Sequence, residues 1–271
     1  MYSRILVPVD GSGFSNQILP LTAAIVKKTG AQLALYRAVE KSEQQGEIEH
    51  ELQALASAHG AQAVCTVAGG DVAKAILDEA ARVPGTLVAI TSHGRSGVMR
   101  AVLGSTALNV LRAGGNPILV YRPDEARGTG DAPLPPIERV VVPLDGSALS
   151  ESILPQAIEL ARWLGARMTV VSVIDEAAAR AAGMAQGDVM ESSYVHSVAT
   201  RITAQHGIED VGWEVLHGDP AEAIPSFMRA WPNSMLAMTT RGRSALKSAL
   251  VGSVTAAALR EGNVAVYTRL P

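Results

Sequence analysis

Short apolar runs alternate along the chain with longer segments whose apolar residues recur every three or four positions. Residues 5–9, Ile-Leu-Val-Pro-Val, read as a buried strand. Residues 15–29 read as a helix, with Ile18, Leu21, Ile25 and Val26 on one face and Gly30 just past the end. Pro20 falls early in that helix and predicts either a first-turn position or a kink. The pattern then gives a strand at 32–39, a helix at 47–59, a strand at 62–67 and a helix at 71–82. A strand at 86–91, a helix at 105–113 and a strand at 117–121 complete the set. Strict alternation with apolar strands predicts a parallel sheet covered by helices on both faces, joined by right-handed crossovers.

The pattern is then repeated. Val7, Pro8, Val9, Asp10, Gly11 and Ser12 return as Val142, Pro143, Leu144, Asp145, Gly146 and Ser147, an offset of 135 residues. By Gly70-Asp71 against Gly218-Asp219 the offset is 148, so copy two carries 13 extra residues, net, between its second and third strands. Residues 124–136, with Gly128, Gly130, Pro133, Pro135 and Pro136, read as an exposed linker. Two domains of one α/β fold are expected, at 1–123 and 137–271. Residues 177–188 are rich in alanine and glycine and read as either helix or loop.

Composition narrows the functions. The chain has 271 residues, 48% of them hydrophobic and 18% charged, which suits packed cores. Residues 1–127 carry 12 basic and 11 acidic side chains, and residues 128–271 carry 11 and 15. Neither half has the basic excess of a nucleic-acid-binding surface. The single cysteine, Cys65, cannot form an internal disulfide, and in Val64-Cys65-Thr66-Val67 it reads as a small buried strand residue rather than a catalytic thiol. With no signal-like segment and no membrane-length apolar run, the expected location is cytoplasmic, away from membranes.

Two constellations recur in both copies. Asp10 and Asp145 end the first strand of each copy, where open parallel sheets bind ligands. Each aspartate reads either as an acceptor for a ribose hydroxyl or base amino group, or as the cap of the next turn and helix. The second constellation follows the fourth strand. Thr91, Ser92, His93, Gly94, Arg95, Ser96 and Gly97 run on to Gly104, Ser105 and Thr106. Thr239, Thr240, Arg241, Gly242, Arg243 and Ser244 run on to Gly252 and Ser253. Each reads as a phosphate cradle at a helix N-terminus, or as a serine-capped turn. Arg95 and Arg243 are placed to balance phosphate charge, or lie solvated on the surface. The chain contains neither G-x-x-x-x-G-K-[ST] nor G-x-G-x-x-G, which counts against a Walker-type NTPase and a dinucleotide domain. His59, His206 and His217 have no metal-ligand spacing, and no nucleophile–base pair is evident.

Taken together, these residues resemble the universal stress protein family in a tandem two-domain form, over essentially the whole chain. The family loop G-x-x-G, nine residues, G-[ST] keeps its second glycine, its gap and its Gly-Ser pair in both copies. Thr91 and Thr239 replace the first glycine, adding bulk and a hydroxyl. The resemblance implies an adenine nucleotide alpha hydrolase-like sheet of five parallel strands in the order 3-2-1-4-5. It implies a site for ATP, or AMP or ADP, in each copy, with Mg²⁺ entering with the nucleotide. In copy one the site residues are Pro8, Asp10, Ala38, Val39, Ser92, His93, Gly94, Arg95, Gly97, Gly104, Ser105 and Thr106. In copy two they are Pro143, Asp145, Val173, Ile174, Thr240, Arg241, Gly242, Arg243, Gly252, Ser253 and Val254. The resemblance also implies pairing of domains through the fifth strands, 118–121 and 264–267, within one chain or in a homodimer.

Three functions follow. The first is a nucleotide-binding stress-response regulator with no more than slow ATP hydrolysis or self-phosphorylation. The second is a nucleotide-independent tandem scaffold for a protein partner. The third, an adenylating or ATP pyrophosphatase enzyme, needs a phosphate loop directly after the first strand. Asp10-Gly11-Ser12-Gly13-Phe14-Ser15 is a poor version of one, and copy two has Ala148 at its second glycine.

Overall fold

The computed structural model describes residues 2–92, 103–123, 134–176, 188–242, 251–261 and 264–271. The chain divides into two compact units, Met1–Pro136 and Ile137–Pro271.

In unit one the strands are β1 (Arg4–Pro8), β2 (Gln32–Val39), β3 (Gln62–Val67), β4 (Thr86–Thr91) and β5 (Ile118–Tyr121). They lie in the order β3-β2-β1-β4-β5, with every described pairing parallel. The helices are α1 (Gly13–Asn16), α2 (Leu19–Thr29), α3 (Gln45–Ala58), α4 (Val72–Arg82) and α5 (Ser105–Gly114). Ile5, Leu6 and Val7 of β1 are fully buried, as expected of a central strand covered on both faces. α3 packs on β2 and β3, and α4 packs on α5 and β4.

The helix expected at 15–29 is two helices. Ser12 caps α1, its hydroxyl accepting from the Ser15 N–H at 3.1 Å. Pro20 then occupies the first turn of α2, where its missing N–H costs nothing. Inside a continuous helix, Pro20 could not have donated to the Asn16 carbonyl.

Unit two repeats the plan with β6 (Arg139–Pro143), β7 (Arg167–Ile174), β8 (Gly212–His217), β9 (Ser234–Thr239) and β10 (Ala265–Arg269). Their order, β8-β7-β6-β9-β10, is the same arrangement and is again parallel. Its helices are α6 (Ala148–Glu151), α7 (Leu154–Leu164), α8 (Asp188–His206), α9 (Pro220–Ala230) and α10 (Ser253–Arg260). α8 has 19 residues where α3 has 14, and it packs on β7 and β8. The stretch at 177–187, open between helix and loop, lies outside the described residues.

The units diverge under their first strands. Arg4 donates to Glu79 at 2.7 Å, a pair whose side chains are 4% and 7% exposed. In unit two Phe227 stands at the position of Glu79. Arg139 instead donates to Thr169 at 2.6 Å and lies 4.1 Å from the centre of a Trp231 ring.

Candidate functional site

Asp10 and Asp145 shape their own turns. Asp10 Oδ1 accepts from the Ser12 N–H at 2.9 Å and from the Ser12 hydroxyl at 2.6 Å. Asp145 Oδ1 makes the same bonds with Ser147, at 3.0 and 2.6 Å. Gly11 and Gly146 between them have φ of +80° and +76°, which only glycine adopts without strain. The cap of the short helix is the serine, not the aspartate. With Ser12 bonded to Asp10 and Ser15, this stretch forms a capped turn rather than a phosphate loop.

The strand order brings the aspartate to the fourth-strand loop. β6 lies beside β9, and a Cβ placed on Gly242 would run into Asp145 Oδ2 and stand 3.1 Å from Cγ. The aspartate and the loop glycine therefore line one crevice at the point where strand order reverses. β1 lies beside β4 in the same way. His93, Gly94, Arg95 and Gly97 of that loop lie outside the described residues, as does Arg243 in copy two.

The second strands overrun the ends of the first. Pro8 and Pro143 close their strands, and Val9 and Leu144 donate to Tyr36 and Val171 as the last bonds across. Beyond them β2 and β7 each run three residues further, through Ala38-Val39 and Val173-Ile174. These overhangs meet β3 and β8 on one side and have left the first strand behind on the other.

At the far end of each loop a helix begins on glycine. Gly104 precedes α5 and Gly252 precedes α10, and neither helix has a side-chain cap. Their first N–H groups therefore lack the acceptor that Ser12, Ser147 or Asp71 supplies elsewhere, and the helix dipole adds positive potential. Ser105 and Ser253 are exposed at these ends, with Thr106 and Val254 half-buried beside them. Two N–H groups expected in a cradle are already used: Gly104 donates to the Ser92 carbonyl at 2.5 Å and Gly252 to the Thr240 carbonyl at 2.7 Å. These bonds tie the start of each helix back to the residue that follows the fourth strand. Thr240 Oγ1 is buried with no hydrogen-bond partner among the described residues.

The loop threonines find their places in strands, and one expectation is corrected. Thr91 and Thr239 are the last, buried residues of β4 and β9, and the Thr239 hydroxyl donates to the Arg241 carbonyl at 2.7 Å. The Thr239 hydroxyl is thus used within the chain. Cys65 is half-buried in β3 rather than buried. Burial and the Glu49 carboxylate push its thiol up, against the smaller pull of Arg37, so it stays protonated.

The sequence reading missed what stands over the aspartate turns. In copy one the Arg37 guanidinium lies where a Cβ on Gly11 would meet it at 2.7 to 2.8 Å, and Arg37 pairs with Glu51 at 3.1 Å. In copy two the same strand position is Ser172, which donates to Glu191 at 2.9 Å. There Tyr194 of α8 donates to Glu151 at 3.0 Å, and Arg201 donates to the other Glu151 oxygen at 2.8 Å. Burial first, then Glu151, then the Asp145 carboxylate push the Tyr194 phenol well above its ordinary value, while the Gly146 N–H acts the other way. The Arg37-to-Ser172 change was visible from the repeat offset alone.

Among the described residues no three His, Cys, Asp or Glu side chains form a metal-holding group, and no helix is long and apolar enough to cross a membrane.

No curated protein matches the sequence. Among solved structures, a universal stress protein from Archaeoglobus fulgidus DSM 4304 is similar over 100% of this chain and 99% of its own, with TM-score 0.71 and 18% identity. A functionally unknown protein from Pseudomonas aeruginosa PAO1 is similar over 100% and 93%, with TM-score 0.65 and 16% identity. The cytoplasmic domain of a prokaryotic cation chloride cotransporter is similar over 99% and 95%, with TM-score 0.56 and 9% identity. At these identities the likeness is one of fold. The universal stress protein family model matches residues 1–122 and again 136–268, and by that double match the chain belongs to the universal stress protein family.

Proposed function

We propose that this chain is an adenine-nucleotide-binding regulator of the stress response, with no more than slow ATP hydrolysis or self-phosphorylation. The observation that carries the reading is the crevice shared by Asp145 and Gly242, which ends on an uncapped helix at Gly252. One end of that crevice offers a carboxylate and an overhanging strand edge, suited to a ribose and a purine. The other offers helix N–H groups without a side-chain cap, and hydroxyls, suited to phosphate. In copy one, Asp10 with the Ala38-Val39 backbone would take the nucleoside. Ser92, His93, Gly94, Arg95, Gly97, Gly104, Ser105 and Thr106 would take the phosphates, with Mg²⁺ carried in by the ligand.

On this reading the chain works in the cytoplasm as domains 1–123 and 137–271 joined by a linker at 124–136. The competing reading is a nucleotide-independent scaffold, favoured by the Gly104 and Gly252 N–H groups that the loop itself consumes. Equilibrium dialysis with labelled ATP separates the two. Saturable binding in the millimolar range or tighter, lost in the Gly104→Val/Gly252→Val double variant, supports the regulator. Absence of saturable binding supports the scaffold, whose partner capture would survive the same changes.

A further inference from the structure

Unit two ends on an open strand edge. β8 pairs with β7 alone, and Gly218 donates to the Ile174 carbonyl at 3.0 Å as the last bond of that ladder. In a parallel ladder alternate residues turn both backbone groups to the same neighbour. Glu214 and Leu216 therefore face β7 with their backbone, and Trp213 and Val215 present N–H and C=O along the outer edge. The side chains alternate between the two faces of the sheet. The Trp213 ring meets His196 of α8 edge to face, with centroids 5.5 Å apart. Trp213 and Val215 thus share the α8 face, and Glu214 lies on the other.

Such edges are usually blunted by lysine, proline or a covering element. β8 contains neither residue, and its Trp213 is 41% exposed. The setting carries one sign of charge. Residues 202–228 include no lysine or arginine, and Glu209, Asp210, Glu214 and Glu222 are exposed. None of these four makes an ion pair among the described residues. Arg201 and Arg229, which bound the stretch, are paired with Glu151 and Glu261. The matching edge of unit one, β3, also pairs on one side alone, but it carries no charged side chain.

We propose that the β8 edge docks an extended, basic segment of another protein, which adds to the sheet as a further strand. Backbone bonds at Trp213 and Val215 hold the segment in line. Its apolar side chains lie beside Trp213 and Val215 on the α8 face, and the lysines or arginines between them fall on the Glu214 side. β7 separates this edge from the strand that leads to Asp145, so the proposal does not depend on the nucleotide reading.

Fluorescence anisotropy on the full chain tests it, with a labelled, end-blocked peptide of alternating lysine and valine. Saturable binding is expected, and the same peptide with glutamate for lysine should not bind. Glu214→Lys should weaken binding roughly three- to tenfold, since an attractive cross-strand pair becomes a repulsive one. Val215→Pro should abolish binding, because the ring removes an N–H that faces outward and takes none from the β7 ladder. Should that variant fail to fold, two alternately N-methylated forms of the peptide decide the matter with the wild-type chain. The form methylated on the side facing β8 should lose binding, and the other should keep it. Amide exchange at Trp213 and Val215 should slow when the peptide is bound.

No saturable binding in the millimolar range would overturn the proposal. So would equal binding of the glutamate peptide, or slowed exchange along β3 instead of β8. Binding of the lysine peptide that Val215→Pro and both methylated forms leave unchanged would also overturn it, marking a charged surface with no added strand.

Discussion

The Asp145 carboxylate and Gly242 are in contact so close that a methyl group on Gly242 would enter Asp145 Oδ2. Asp145 cannot swing away cheaply, because its other oxygen holds the Ser147 N–H and hydroxyl. Gly242→Ala therefore destabilises unit two by about 1–3 kcal/mol, the usual cost of overpacking a filled site. Urea unfolding checks this. Combined with Asp145→Ala, the loss should be smaller than the sum of the two single changes, because the clash and its target vanish together.

Under the first strand of unit one, Arg4 and Glu79 form a pair that is almost wholly buried. Removing one partner strands the other charge without water. Glu79→Ala is expected to cost unit one about 3–5 kcal/mol in denaturant unfolding. Arg4→Met with Glu79→Leu should recover much of that loss, since the apolar replacement leaves no charge behind. Unit two already manages with Phe227 at the matching position and Trp231 beneath Arg139.

Alkaline pH reports on Tyr194. Below the ordinary phenol value of 10.0, Tyr194 is protonated whether the chain is folded or not, and its contribution to stability is whole. Above that value the unfolded chain releases the proton while the folded chain keeps it, so stability falls as pH rises. Tyr36 in unit one is raised as well, by burial first, and adds its own share. Tyr194→Phe should lose less stability than wild type between about pH 9 and pH 11. Equal losses would show that the phenol is not held as described.

Cys65 should behave as an ordinary, slow thiol. Burial and Glu49 raise it, so its alkylation by iodoacetamide at neutral pH should lag behind that of free cysteine and speed up on unfolding. A native rate above that of free cysteine would contradict its assignment as a structural residue.

Much of the fold was legible because the strands are apolar runs bounded by turn residues. β2, β3 and β4 begin and end where the pattern put them. The helix at 15–29 was misjoined because periodicity carries across a break, whereas Ser12 capping and Pro20 act locally on the backbone. At the site, Asp145 and Gly242 could be paired on paper, since the repeat and the strand order placed both at one switch point. The closure of Gly104 onto Ser92 was hidden because it is a backbone bond across a loop, with no side-chain signature. Tyr194 was hidden for another reason. It sits on a helix with no equal-length counterpart in copy one, so no offset ties it to Asp145.

Where a nucleotide sits decides the function of this chain. A crystal structure of the chain grown with ATP tests this most directly. The predicted result is adenine against the Ala38-Val39 backbone, ribose at Asp10 and phosphates at the start of α5 beside Gly104 and Ser105. ATP bound elsewhere on the chain, or crystals grown in millimolar ATP with this crevice empty in both copies, would contradict it.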